Sequence, residues 1–224
     1  MLTLNAQSAK SADNISTSIR ETGKYVGEIT RAEKLLSSGG TKGLGLSFKT
    51  DGGQTADYLD LYTQNSKGEE LPSSKVVNAI LAVLKTRECK ESEITVEKWS
   101  KEEKKKVQTT VLGYPGLMGK KIGFLLQKEL STDQNGKDQE RMIIVGVFQS
   151  DSDLTATEVL EGKTKPEKLT AMIDNLMARP IRDSRKKATT NQPSNQSYAT
   201  SGGASFDDDI PFNKFMSGRY SLSI

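Results

Sequence analysis

Histidine is absent from this chain and cysteine occurs once, at Cys89, so neither a Cys/His zinc site nor a histidine-dependent catalytic triad can be assembled from it. A single cysteine excludes an internal disulfide framework and fits a reducing compartment. No apolar run approaches the length that crosses a bilayer, and the first residues lack the basic-then-apolar order of a signal peptide. An excess of one charge is lacking too: 32 Lys and Arg against 29 Asp and Glu leave a formal net charge of +3. Any affinity for nucleic acid therefore has to come from local patches rather than a uniformly basic coat. Hydrophobic residues make up only 34% of the 224 and charged residues 27%, which favours a modest core carrying a long solvated segment. The expectation is a soluble, non-enzymatic protein with no metal and no cofactor, built as one domain plus a tail.

What is present is patterned. Residues 1–22 are polar with scattered Leu and Ile and read as a flexible N-terminal segment. From Gly23 to Leu36, Tyr, Val, Ile and Leu alternate with charges, which predicts a strand ending in the turn Ser37-Ser38-Gly39-Gly40. A second strand, Leu44 to Thr50, sets Leu44, Leu46 and Phe48 on its core face. Asp51-Gly52-Gly53 is a hairpin turn, and the strand after it, Thr55 to Thr63, separates Leu59 and Leu61 from Tyr58, Asp60 and Tyr62. Ser73 or Ser74 is the expected N-cap of a helix running to about Arg87, with Val76, Val77, Ile80, Leu81 and Leu84 on its buried stripe. Ile94 to Trp99 and Val107 to Leu112 form an inserted hairpin. Two further strands, Lys120 to Leu130 and Arg141 to Gln149, join through Asn135-Gly136, and a last helix falls within Lys165 to Arg179.

That order predicts a mainly β, OB-fold-like barrel: five antiparallel strands, a helix between strands 3 and 4, and an inserted hairpin. The domain spans 23–180. Residues 181–224 read as a disordered tail, opening with a basic patch at Arg182, Arg185, Lys186 and Lys187 and continuing through a Ser/Thr/Asn/Gln/Gly linker. OB barrels bind oligonucleotides on the face of strands 2 and 3 and in the loops at its edge, with aromatic faces for bases and a basic track for phosphates. Tyr58 and Tyr62 are the stacking candidates, with Trp99 a third. The phosphate candidates are Lys24, Arg31, Lys34, Lys42, Lys49, Lys98, Lys120 and Lys121.

Near the end stand Phe206, Asp207, Asp208, Asp209, Ile210, Pro211 and Phe212. The seven letters FDDDIPF resemble the acidic C-terminal tip of bacterial single-stranded DNA-binding proteins. The body is more similar to phage-encoded single-stranded DNA-binding proteins, in the opening GKYVGEITRAEKL and in Thr41-Lys42-Gly43-Leu44-Gly45-Leu46. The resemblance implies a protein that coats and protects single-stranded DNA and recruits replication, repair and recombination proteins of phage or host through its tip. It also implies the cytoplasm of a bacterial cell or phage-infected host, and it leaves homo-oligomerisation open. In the family the final Phe ends the chain, whereas here Asn213 follows Phe212. The alternative reading is an interaction protein that mimics the host tip without binding DNA itself.

Overall fold

The computed structural model describes residues 17–185 other than 101, 104 and 134, with Trp99 described by its backbone alone. In chain order the elements are β1 (Gly23–Leu36), β2 (Lys42–Thr50), β3 (Thr55–Gln64), α1 (Ser73–Val83), β4 (Ser92–Ser100) and β5 (Lys105–Gly113). A 3-10 turn at Pro115–Leu117 leads into β6 (Lys121–Thr132), β7 (Asp138–Phe148), α2 (Ala156–Leu160), α3 (Leu169–Ala178) and β8 (Ile181–Asp183).

The long strand β1 is the hub. Its first residues pair antiparallel with β6, Gly23↔Leu126 through Glu28↔Lys121, and from Gly27 onward it pairs with β2. A register shift between Ile29 and Arg31 bends the strand from one partner to the other. β2 pairs with β3 and β6 with β7, all antiparallel, and β3 lies against β7. With α1 after β3, this is the OB order, in which β6 and β7 serve as the fourth and fifth barrel strands. The β4–β5 hairpin is the insertion, and it joins β1 at Glu33↔Gly113.

Alternation along the strands buries Leu44, Leu46 and Phe48, Leu59 and Leu61, and Ile122, Phe124 and Leu126 in one interior. The Phe48 and Phe124 rings meet edge-on with centroids 5.0 Å apart. α1 closes the barrel with Ile80 and Val83 fully inserted and Val76, Val77, Leu81 and Leu84 packed beside them. Each large side chain so buried contributes about 1.5–3 kcal/mol. A second cluster, Leu125, Phe148, Leu169 and Leu176, joins the outside of β6 and β7 to α3. Gly123 makes that contact possible, because a Cβ there would stand 2.1 Å from the Phe148 ring.

Several expectations change. Pro72, already helical at φ −52°, occupies the N-cap position with no side-chain cap, so Ser73 is inside the helix. The helix stops at Val83 rather than Arg87, and Lys85 turns the chain at φ 52°. The segment 17–22 belongs to the barrel: Ile19 is buried and its amide donates to the Thr55 carbonyl at 2.7 Å, while the Lys128 amide donates to Thr22 Oγ1. At the other end the fold runs past 180, since Ile181–Asp183 pairs parallel to β6 from Lys128↔Ile181 onward. Arg182 there pairs with the buried Glu129 at 3.5 Å, and Arg185 with Asp138 at 3.2 Å and Asp183 at 2.6 Å. This half of the expected basic patch is thereby neutralised, because a buried carboxylate such as Glu129 needs cations around it. Lys186 and Lys187 lie outside the described residues.

The short helix α2 carries a capping box that periodicity does not reveal. Glu158 is fully buried and accepts from the amides of Thr155 (2.8 Å), Glu167 (2.6 Å) and Lys168 (3.0 Å) and from Thr155 Oγ1 (2.8 Å). Desolvation alone would raise its pKa, but these four donors outweigh it and pull the group from 4.5 down to about 2. A carboxylate depressed on folding contributes stability above its unfolded value of 4.5 and loses it as pH falls toward 2. Glu158→Gln is therefore expected to be about 2 kcal/mol less stable at neutral pH and to lose less than the parent on acidification. Unfolding free energies measured at pH 7, 4 and 2.5 check this, and parallel pH slopes would contradict it.

Candidate nucleic-acid interface

The alternation that fills the barrel turns a second set of side chains outward. Cross-strand register aligns Arg31, Glu33 and Leu35 of β1 with Ser47, Gly45 and Gly43 of β2, and Gly45 and Gly43 in turn with Asp60 and Tyr62 of β3. Tyr58 is 60% exposed and Tyr62 38%. The face outside β6 and β7 is occupied by α3, whereas these tyrosines stand open. Four residues apart on one strand, they are about 13 Å from each other, with a low, glycine-bearing floor beside them.

Tyr58 is held in a conformation its residue type does not favour. Its φ is 59°, where an L-residue costs about 1–2 kcal/mol, and it sits where the β2–β3 register shifts between Leu46 and Phe48. Such a bulge re-aims a side chain, here setting the phenol against Arg31, whose guanidinium carbon lies 5.2 Å from the ring centroid. Strain of this kind persists only when surrounding structure enforces it, and it gathers where a fold binds something.

Arg31 departs from the expected free phosphate contact. It is only 8% exposed; Nε donates to Ser47 Oγ at 3.1 Å and Nη1 to Glu33 Oε2 at 3.2 Å, while Nη2 has no partner. Lys98 reaches from β4 to the other Glu33 oxygen, tying the inserted hairpin to the barrel face. Asp60, exposed along one side, has its carboxyl set close against Gly45; desolvation raises its pKa, Glu33 adds to the rise, and Arg31, Arg141 and Lys98 oppose it.

The other candidates divide. Lys49 and Lys121 flank Glu28 across β2–β1–β6 and extend the same sheet surface, Lys121 in a fully exposed pair with Asp51 at 3.0 Å. Lys34 pairs with Glu91 at 2.7 Å and shares a polar cleft of about 350 Å³ with Lys42 and Tyr114. Lys24 is committed to Asp153 at 2.7 Å and to the Phe148 ring, and Lys120 stands by Cys89. Lys42, Lys49 and Lys120 form no ion pair with a described residue. Trp99 lies in β4 opposite Lys106. The tip residues Phe206 to Phe212 lie outside the described residues. The structure thus brings Arg31, Tyr58, Tyr62 and Lys98 together, and adds Glu33 and Ser47, which sequence reasoning did not single out, and Asp60, which it set on the face of the two tyrosines without assigning it a DNA contact. The signal for Glu33 was available: two opposite charges at i and i+2 fall on one face of a predicted strand.

Among the described residues no three His, Cys, Asp or Glu side chains gather as a metal site, and no helix is long and apolar enough to cross a membrane. In comparison with known proteins, no family model matches this chain and no curated protein matches it.

Proposed function

We propose that this protein binds single-stranded DNA without catalysis, coating and protecting it during replication, recombination and repair, and recruits partner proteins through Phe206 to Phe212. The observation that carries the binding half is Tyr58, an exposed aromatic held over Arg31 in a left-handed bulge on the outer face of an OB barrel. Faces of this kind stack bases in succession while lysines along the sheet meet phosphates. Lys42 and Lys49 have no competing ion pair among the described residues, and Lys121 has there only a solvent-exposed one that a phosphate can replace. Neutralising about three phosphates gives a log K against log salt slope of about −2 on a single strand. The test is a titration of one sequence as single strand and as duplex between low and physiological salt. Preference for the single strand with that slope is expected; equal affinity for duplex, or no binding at low salt, would overturn the reading.

The recruitment half rests on the seven-residue tip. Three hydrophobic side chains bracket the acidic run, and in the tips it resembles the last Phe presents a free carboxylate. Here Phe212 is amide-linked to Asn213, and Lys214 and Arg219 follow in the sequence, adding positive charge whose effect salt screens over about 10 Å. Ending the chain at Phe212 is therefore expected to tighten binding to a host protein that captures such tips. Phe212→Ala weakens it in both lengths. Failure of either chain to bind refutes the recruitment reading and leaves the DNA-binding one standing.

A further inference from the structure

Two polar groups on the outer face of β1–β3 lack partners, and they are complementary to one base. Arg31 Nη2 is buried with no hydrogen bond, although Nε and Nη1 of the same guanidinium are bonded to Ser47 and Glu33. A buried donor left unmade is costly, so its persistence calls for an explanation. The Asp60 carboxylate, two residues beyond Tyr58, makes no hydrogen bond or ion pair with a described residue, and Arg31 is the foremost positive charge acting on it. A spare donor against the Tyr58 ring and a spare double acceptor two residues along β3 thus share one outer face.

Resting on the single-strand reading above, we propose that this face reads guanine, with Arg31 Nη2 donating to O6 and the Asp60 carboxylate accepting from N1–H and the 2-amino group. Guanine alone among the four bases presents two adjacent donors beside an acceptor on its Watson–Crick edge, and a carboxylate takes two donors side by side. Adenine, cytosine and thymine each bring at least one lone pair toward Asp60. Bases of a single strand are unstacked and free to offer that edge. In the free protein the Tyr58 ring lies over the guanidinium; being 60% exposed, it can turn onto the incoming base, stacking on it while uncovering Nη2.

The experiment uses the full chain and three 15-nucleotide dT strands carrying one central dG, dA or inosine, with affinity read by anisotropy. The dG strand is expected to bind about tenfold tighter than the dA strand, the usual discrimination of a bidentate base contact. Inosine, which keeps O6 and N1–H but lacks the 2-amino group, should fall between. Because Arg31 variants risk unfolding the sheet, the decisive variant is Asp60→Asn, which should bring the dG to dA ratio near one whatever it does to absolute affinity. Equal binding of the three strands by the parent, or a ratio kept by Asp60→Asn, overturns this inference and leaves single-strand binding intact. Absence of binding to all three overturns both.

Discussion

Glu33→Ala is expected to lower the unfolding free energy by about 3–5 kcal/mol, the cost of leaving a buried charge without its partner. Glu33 is 6% exposed and divides its two oxygens between Arg31 Nη1 and Lys98 Nζ. The two cations differ in what they lose. Lys98, at 36% side-chain exposure, can turn to water, whereas Arg31, at 10%, cannot. After the substitution Nη1 joins Nη2 as an orphaned buried donor, with only Ser47 still bonded to the guanidinium. Glu33→Gln keeps an acceptor for Arg31 but removes the charge and should cost about half as much. Replacing the pair together, as Arg31→Met with Glu33→Leu, should recover most of the loss, since apolar packing can substitute for a buried ion pair of similar volume. Denaturant unfolding checks the series. If Glu33→Ala remains within about 1 kcal/mol of the parent, Arg31 is not confined as described.

Tyr58→Ala is expected to weaken binding to a single strand by about 1–3 kcal/mol, the usual worth of one stacked base. Stability separates this from a packing effect. Tyr58 is 60% exposed and contributes no side chain to the core, so its truncation gives up a cation–π contact with Arg31 and little else. The backbone at φ 59° adds a sharper expectation: Tyr58→Gly should be about 1 kcal/mol more stable than Tyr58→Ala, because glycine adopts that conformation freely while both variants lose the ring alike. Tyr62→Ala, whose backbone lies outside the left-handed region, should weaken binding with no such difference between Ala and Gly beyond glycine's ordinary strand penalty. Retained affinity in Tyr58→Ala and Tyr62→Ala would remove stacking from the account.

The barrel was legible because its strands alternate cleanly. Leu44, Leu46 and Phe48 against Gly45 and Ser47, and Leu59 and Leu61 against Tyr58, Asp60 and Tyr62, assign inside and outside without reference to any partner. The tyrosines were therefore found as a pair, and their exposure follows from the same parity. What escaped was set by contacts distant in sequence. The Tyr58 bulge has no glycine or asparagine to announce it and arises where β3 shifts register against β2. Strand parity sets Glu33 beside Arg31, but burial of Arg31 also depends on Ser47 arriving opposite it and Lys98 reaching Glu33 from β4, which parity does not reveal. Strand β8 is three residues long, too short for any period, and is held by backbone pairing to β6 and by the pull of Glu129 on Arg182. Helix α2 is also short, but Thr155 and Glu158 stand at capping-box spacing and could have marked its start.

The most direct test of the central claim is to photocross-link a strand carrying 5-iododeoxyuridine to the full chain and sequence the modified peptides. Cross-links on Tyr58 and Tyr62 are predicted, because these rings stand open on the outer face of β3. Cross-links confined to Tyr25 and Tyr114, which pack against the barrel core, or none at all under conditions where the strand is bound, would contradict the placement of DNA on this face.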